Sequence, residues 1–405
     1  MPKPRIVIFT RFFWPEGGGA ELATYIIVRD ILSKRFDVTV VSGTENPKTI
    51  PMQNVRYVHN TLFKASTKPE LLLKMLLHQQ AIGKLIRSAD IVYIPSNAML
   101  PLAILSKKVN PRVKVVVHLH DYQPLTYSAA ILYSMELGLR TDLLAERYDH
   151  DSILRTVLAG IFRPINVVYR LALALDYADK IVFVSKRQLE IYLKHVPSVR
   201  TKAVVVYNPL PPVNALDKDP EEPLFLYTGG GRYTKGFHVL LQSAIQLLKC
   251  GKNVRFVFTG GAKGFSKQHL RIIDKLNKAF THSFKVLGRI PYEEVLKLYS
   301  KSYAVLVPSV WEEPLPYVIV EAMATGTIPI ASRIGGIPEI VEGTYAEKLL
   351  FEPWNYLELA DRIERVATLS KRELLDIGIS LREAIVKKLD HTKIEKSLKK
   401  AFIIH

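Results

Sequence analysis

At 405 residues the chain is long enough for two domains with separate cores, and its single cysteine, Cys250, excludes an intramolecular disulfide and fits a reducing compartment. The formal charge is +18, with the excess leaning forward: residues 1–200 hold 27 Lys and Arg against 16 Asp and Glu. No aromatic-interleaved basic cluster or RNA-binding motif goes with that charge, so no nucleic-acid partner is expected; an anionic membrane surface or a lipid-phosphate acceptor suits it better, with a generally basic soluble surface as the plainer alternative.

Apolar strands alternate with helical patterns along the chain. Strands are predicted over 5–10, 38–42, 91–94, 113–119, 181–184 and 203–206, and a second set over 224–228, 255–259, 285–287, 303–307 and 327–331. That rhythm predicts α/β architecture, with parallel sheets covered by helices on both faces. Between the sets lies 209–223, which carries five prolines and no periodicity and reads as a linker. The expected organisation is a domain over 1–208, the linker over 209–223, a second domain over 224–385 and a terminal helix over 386–405. No solenoid repeat or low-complexity tract interrupts it.

Two segments mix apolar and basic residues at helical spacing. Residues 71–87 carry Lys74, Lys84 and Arg87 among leucines and isoleucines, and residues 152–175 carry Arg155, Arg163 and Arg170, with Pro164 expected to split the helix. Each suits a membrane interface with its cations at the headgroups, and equally a helix packed on the sheet. No run approaches the ~20 apolar residues of a membrane span, and the N-terminus enters its first strand without a signal-peptide pattern. The expected location is cytoplasmic, peripheral at the inner face of the cell membrane.

The most informative motif is Glu313-Pro-Leu-Pro-Tyr-Val-Ile-Val-Glu321, which follows the strand 303–307. Pro314 and Pro316 suit a loop or first helical turn, and a helix is predicted from Tyr317 until Gly326 stops it. Glu313 therefore sits on the loop and Glu321 about one and a half turns into the helix, so both carboxylates can approach one ligand at the carboxyl end of a strand.

This segment resembles the Glu-x7-Glu motif of retaining glycosyltransferases of the GT-B fold, specifically family four (glycosyl transferases group 1). Further matches follow in the family's order over roughly residues 5–345. They are Gly17-Gly-Gly-Ala-Glu21, His120-Asp121, Val184-Ser185, Val206-Tyr-Asn208-Pro, Arg232-Tyr-Thr-Lys235-Gly and Gly335-Gly-Ile-Pro-Glu339. Each alone is weak; their order makes them strong together. The resemblance implies two Rossmann-like, doubly wound domains facing a central cleft, the first binding an acceptor and the second a nucleotide sugar. It also implies that the last helix returns to the first domain.

The resemblance assigns roles residue by residue. Glu313, His120, Arg232 and Lys235 are the implied catalytic set, with Glu313 by the donor sugar and His120 contacting that sugar or orienting the reacting groups. Donor binding is assigned to Gly18, Gly19, Arg232, Lys235, Gly288, Arg289, Ile290, Glu313, Leu315, Tyr317, Val318 and Glu321. Within this set, Glu321 would meet the ribose hydroxyls and the backbone of Gly288–Ile290 the base. Glu21, Asp121 and Tyr122 are assigned to the acceptor, and the segment after Asp121 is expected to shape its site. Retention follows from front-face attack in which the donor phosphate takes the acceptor's proton. Pro316 departs from the family, where many members carry a glycine whose N–H meets the donor.

Transfer from a nucleoside diphosphate develops negative charge on the leaving phosphate, and Arg232, Lys235 and two helix N-termini could answer it without a metal or other cofactor. Asp149-His-Asp151 and Asp217-Lys-Asp219 match a short Asp-x-Asp metal pattern, but neither follows an apolar strand and both read as solvated loops. His118 competes with His120, because strand alternation puts both on one face. The expected partners are a nucleotide-sugar donor, a glycan or lipid-linked acceptor and an anionic membrane surface. Two other classes share much of this pattern: a GT-B-like nucleotide-sugar epimerase, which should carry additional acid/base groups, and a non-catalytic scaffold binding anionic partners. A dinucleotide dehydrogenase fits less well, since Gly229-Gly-Gly231 is not Gly-x-Gly-x-x-Gly.

Overall fold

The computed structural model describes residues 3–150, 152–213, 218–260, 264–281 and 283–403. Its chain builds two all-parallel sheets. The first has seven strands: β1 (Arg5–Phe9), β2 (Asp37–Ser42), β3 (Val55–His59), β4 (Ile91–Ile94), β5 (Lys114–Leu119), β6 (Lys180–Phe183) and β7 (Ala203–Val205), in the spatial order β3-β2-β1-β4-β5-β6-β7. The second has five: β8 (Leu224–Tyr227), β9 (Arg255–Thr259), β10 (Phe284–Gly288), β11 (Ala304–Val307) and β12 (Ile328–Ala331), ordered β10-β9-β8-β11-β12. Both orders reverse next to the first strand of their set. Ligands bind beyond the carboxyl ends of strands at such a switch point.

Strand periodicity explains the doubly wound layering. Along β1, Ile6 and Ile8 enter one apolar cluster while Val7 and Phe9 enter another on the opposite face. The Val7 face is covered by the helices Lys68–Leu77, Gln79–Arg87, Pro101–Val109 and Asn166–Ala174, through Leu71, Ile82, Leu102 and Tyr169. The Ile6 face receives helix Gly19–Ile27 and, from the far end of the chain, helix His391–Phe402. Phe402 meets Tyr93 edge-on at 5.1 Å, and Arg35 reaches Glu395 at 3.4 Å. Burying a side chain of that size is worth about 1.5–3 kcal/mol, enough to hold the returning helix.

Three details differ from the sequence expectations. Strand β3 was not foreseen: it lies at the sheet edge with Arg56 and His59 exposed, so it lacks the apolar run of a buried parallel strand. Residues 71–87 do not form one helix, because His78 (φ −108°, ψ 19°) breaks the run into two. The stretch Ile153–Ala174 is, by length and composition, apolar enough to cross a membrane, although a 3-10 turn at Arg163–Ile165 and three arginines interrupt it.

Candidate active site

The two sheets meet across a cleft holding a cavity of about 1000 Å³. The first domain lines it with Gly17, Gly18, Gly19, Lys48 and His120, the second with Lys235, Arg289, Glu313 and Glu321, and Asn208 lies at the passage between them. Contacts cross the cleft beside it. Trp14 meets Tyr292 edge-on at 5.4 Å, and the Tyr317 hydroxyl donates to the Pro209 carbonyl at 2.7 Å.

Glu313 is held where β11 gives way to its loop. The carboxylate is 3 % exposed, and its Oε1 accepts from Lys235 Nζ at 2.6 Å, Ser309 Oγ at 2.6 Å and Trp311 Nε1 at 2.8 Å. Lys235 Nζ also lies 5.0 Å from the centroid of the Trp311 ring. Three donors converging on one oxygen fix the direction of this buried carboxylate. The backbone beneath it is fixed by Gly335, whose φ of +57° belongs to the left-handed region and whose hydrogen faces the Glu313 backbone. A Cβ there would stand 2.0 Å from the Glu313 carbonyl oxygen. The same turn ties the domains, since Glu339 accepts from the backbone N–H groups of Lys186 and Arg187 and from the Tyr207 hydroxyl.

Glu321 lies in helix Tyr317–Ala324, whose opening turn, capped by Pro316, faces the cavity through Tyr317 and Val318. The first amides of a helix have no intrahelical acceptor and favour an anion. Burial pushes the Glu321 carboxyl up to about 7, opposed by hydrogen bonds from Tyr292 (2.7 Å) and Tyr299 (3.3 Å). The structure also separates the two histidines. His118 is 1 % exposed, with Nδ1 2.8 Å from the Tyr93 hydroxyl, whereas His120, one position past β5, lines the cavity. Burial lowers His120 to about 4, which keeps the imidazole neutral. Among the described residues, buried His120 Nε2 and Asn208 Oδ1 have no hydrogen-bond partner, and both residues line the cavity. Unpaired buried polar atoms are costly, and a ligand with hydroxyls, which donate as well as accept, would satisfy them.

Of the residues assigned to the donor, Gly18, Gly19, Lys235, Arg289, Ile290, Glu313, Leu315, Tyr317, Val318 and Glu321 share this cavity. Gly288 (φ +65°) stands one residue behind it. Arg232 is exposed and outside the lining; among the described residues the cationic side chains that line the cavity are Lys235, Arg289 and Lys48. The three residues assigned to the acceptor lie outside this lining and are engaged within the protein. Glu21 accepts from Gly18 N–H at 2.7 Å and caps its own helix; Asp121 accepts from Asn97 and from Gln123 N–H. Tyr122 is fully buried, stacked on Tyr192 at 5.9 Å, so its ring is occupied by packing. The segment after it joins the Glu313 loop, with Tyr133 N–H donating to the Val310 carbonyl and Glu312 N–H to the Ile131 carbonyl.

One residue read as a solvated loop instead reaches the second domain. Helix Leu139–His150 extends from the first domain toward the Arg232–Lys235 loop, where Asp149 accepts from Thr234 N–H at 2.9 Å and from Thr234 Oγ1 at 2.6 Å. Tyr148 stacks on Tyr233 at 4.9 Å beside it. Asp219 pairs with Lys371 on the surface; Asp151 and Asp217 lie outside the described residues. Among the described residues no group of three or more His, Cys, Asp or Glu is arranged to hold a metal ion.

Comparison with known proteins agrees with this architecture. Residues 17–212 match the family model described as Glycosyltransferase Family 4, and residues 213–377 match Glycosyl transferases group 1. Spore coat protein SA of Bacillus subtilis (strain 168) is 29 % identical over 38 % of this chain, and the putative glycosyltransferase YtcC of the same organism is 25 % identical over 80 %. The matched region spans 41 % of the former's length and 73 % of the latter's. Among solved structures, sucrose-phosphate synthase from Thermosynechococcus elongatus superposes with a TM-score of 0.74 at 17 % identity, covering 99 % of this chain and 98 % of that one. Anabaena HepE in complex with UDP-glucose gives 0.68 at 17 % identity, covering 98 % and 99 %. These structural likenesses speak for the GT-B fold alone. With both halves matched by the paired models, the chain belongs to the group 1 glycosyltransferases.

Proposed function

We propose that this protein is a retaining, metal-independent hexosyltransferase that moves a sugar from a nucleoside-diphosphate sugar to a hydroxyl of a glycan or lipid-linked acceptor. The observation that carries the reading is the Glu313 cluster: a buried carboxylate held by Lys235, Ser309 and Trp311 in the same cavity as Glu321 and the orphaned polar atoms of His120 and Asn208. HepE, solved with UDP, with UDP-glucose and with UDP and glucose, shares the fold and supports a sugar nucleotide as donor.

In this reading the diphosphate lies between Lys235, Arg289 and the N-terminal turn of helix Tyr317–Ala324. Their positive charge answers the charge that develops as the glycosidic oxygen leaves, so no metal or other cofactor is required. Glu321 accepts from the ribose hydroxyls, and neutral His120 meets a sugar hydroxyl through its free Nε2. Glu313, with Oε1 engaged by three donors, orients the sugar hydroxyls and is too strongly held to serve as a mobile nucleophile. The acceptor oxygen attacks from the face the phosphate leaves, and that phosphate takes its proton. The work takes place in the cytoplasm at the inner face of the membrane, to which the exposed apolar residues of 153–175 are suited.

The slow transfer of the sugar to water tests this directly. Proton NMR in EDTA should show the α-anomer released first from an α-linked sugar nucleotide. First release of the β-anomer would contradict retention, and a strict requirement for added metal would contradict metal independence.

A further inference from the structure

A second cavity of about 690 Å³ lies on the flank of the first domain, behind the loop that carries Glu313. Its lining brings together Arg163, Arg170, Arg187, Lys194 and His195 against Glu136, Glu190 and Glu312. Two of the cations are committed: Arg187 forks onto Glu312 at 2.8 Å and 3.2 Å, and Arg163 meets Asp142 at 3.0 Å. Arg170 and Lys194 form no ion pair among the described residues, and Arg170 has only a long contact, 3.5 Å, to the Pro124 carbonyl. Both bear on His195, which burial and then these two cations push below its ordinary value. Leu125, Ile131, Leu132 and Leu137 complete the wall. Two cations outside any ion pair among the described residues, set beside apolar side chains, fit the phosphate of an amphiphile better than a wholly polar ligand.

The surface next to it is apolar and unpartnered. Arg163 and Arg170 belong to the stretch Ile153–Ala174, on which Ile153, Val157 and Ile161 recur at a spacing of four and are 69 %, 52 % and 62 % exposed. Val167 and Leu171 continue the exposure past the turn at Pro164. On the same side of the sheet, helix Lys68–Leu77 buries Leu71 and Met75 and exposes Leu73, Leu76 and Leu77. Arg155, Arg163 and Arg170 interrupt the stretch, which favours a helix lying in the interface over one crossing the bilayer.

We infer that this cavity and the adjoining apolar stripe form a docking site for an anionic phospholipid, its headgroup phosphate between Arg170 and Lys194 and the leaflet against Ile153, Val157 and Ile161. The inference rests on the membrane-surface part of the reading above and adds a defined site to it. Because Arg187 joins the cavity to Glu312, next to Glu313, the lipid site and the reaction centre share one wall.

Co-sedimentation of the full chain with phosphatidylcholine vesicles, with and without phosphatidylglycerol, at low and high salt, tests it. Two variants accompany the wild type: Arg170→Glu with Lys194→Glu in the cavity, and Val157→Asn with Ile161→Asn on the exposed stripe. The expected result is binding to the phosphatidylglycerol vesicles, weakened by salt and reduced about tenfold or more by each pair. Equal binding to neutral vesicles, no binding at low salt, or indifference to either pair overturns the site. A parallel titration with inorganic phosphate and pyrophosphate identifies the source of the anion. If these bind in a manner abolished by the cavity pair while vesicles do not, the ligand is soluble phosphate and the lipid assignment falls. Thermal shift with a nucleoside diphosphate is recorded on every variant, so loss of docking with the shift intact fails this inference and leaves the transferase reading standing.

Discussion

Through Asp149 the first domain holds the Arg232–Lys235 loop of the second, and removing that side chain tests whether the contact matters. Its two hydrogen bonds, 2.9 Å to Thr234 N–H and 2.6 Å to Thr234 Oγ1, are charge-assisted, and they end on the residue preceding Lys235. A net hydrogen bond contributes about 1 kcal/mol, and Asp149 is half-buried, so water recovers part of the loss in Asp149→Ala. A loosening of about 1–2 kcal/mol in the loop's binding-competent arrangement lowers nucleotide affinity about 5- to 30-fold, because the ligand must then reorder the loop. The assay is isothermal titration with whichever nucleoside diphosphate gives the largest thermal shift, on wild type, Asp149→Ala and Asp149→Asn. Asn keeps an acceptor for the Thr234 amide and should recover part of the loss. Affinity of Asp149→Ala within about twofold of wild type, with the fold intact, would refute the reasoning.

Three further outcomes follow from the same site. Lys235→Ala removes the cation from Glu313 and the diphosphate, and should cut kcat about 10²- to 10³-fold in a donor-turnover assay; Ser309 and Trp311 still hold the carboxylate, so the melting temperature should change far less. Glu321, raised to about 7 against an ordinary 4.5, binds a proton more readily folded than unfolded. Its contribution to the stability of the ligand-free protein is therefore full below pH 4.5 and is lost as pH rises through about 7, and urea melts of Glu321→Gln should lack that component of the slope. Gly335→Ala places a Cβ 2.0 Å from the Glu313 carbonyl oxygen at a φ of +57° and should cost about 2 kcal/mol or more, measured by denaturant unfolding, together with weakened nucleotide binding.

Much of the fold was legible because buried parallel strands announce themselves. Phe225–Leu226, Phe256–Phe258, Val305–Val307 and Ile328–Ile330 are apolar on both faces, and these four strands of the second sheet fall where such runs predict them. Strand β3 was not legible, since an edge strand needs apolar residues on fewer sides and Arg56 and His59 broke the pattern. The loop-to-helix placement of Glu313 and Glu321 could be argued from Pro314, Pro316 and Gly326. What each acid touches could not, because Lys235 reaches Glu313 from a segment 78 positions away.

The same limit explains the other differences. His118 and His120 share a strand face in any local reading, and only the neighbouring strand, with Tyr93, decides which one is enclosed. Arg232 matched a motif, yet the loop geometry turns it outward while Arg289, named for its backbone, lines the cavity. Asp149 became visible only when helix Leu139–His150 was seen to reach the opposite domain. Tyr122 looked like an acceptor platform because it follows Asp121, and its partner Tyr192, 70 residues later, encloses it.

The central claim is that the cleft is a nucleotide-sugar site organised by Lys235. Isothermal titration of the protein in EDTA against UDP, GDP, ADP, CMP and their common sugar conjugates, repeated with Lys235→Ala, tests it most directly. One nucleoside diphosphate should bind without metal, and the variant should lose that binding. Absence of binding by every nucleotide, or binding indifferent to Lys235, would contradict it.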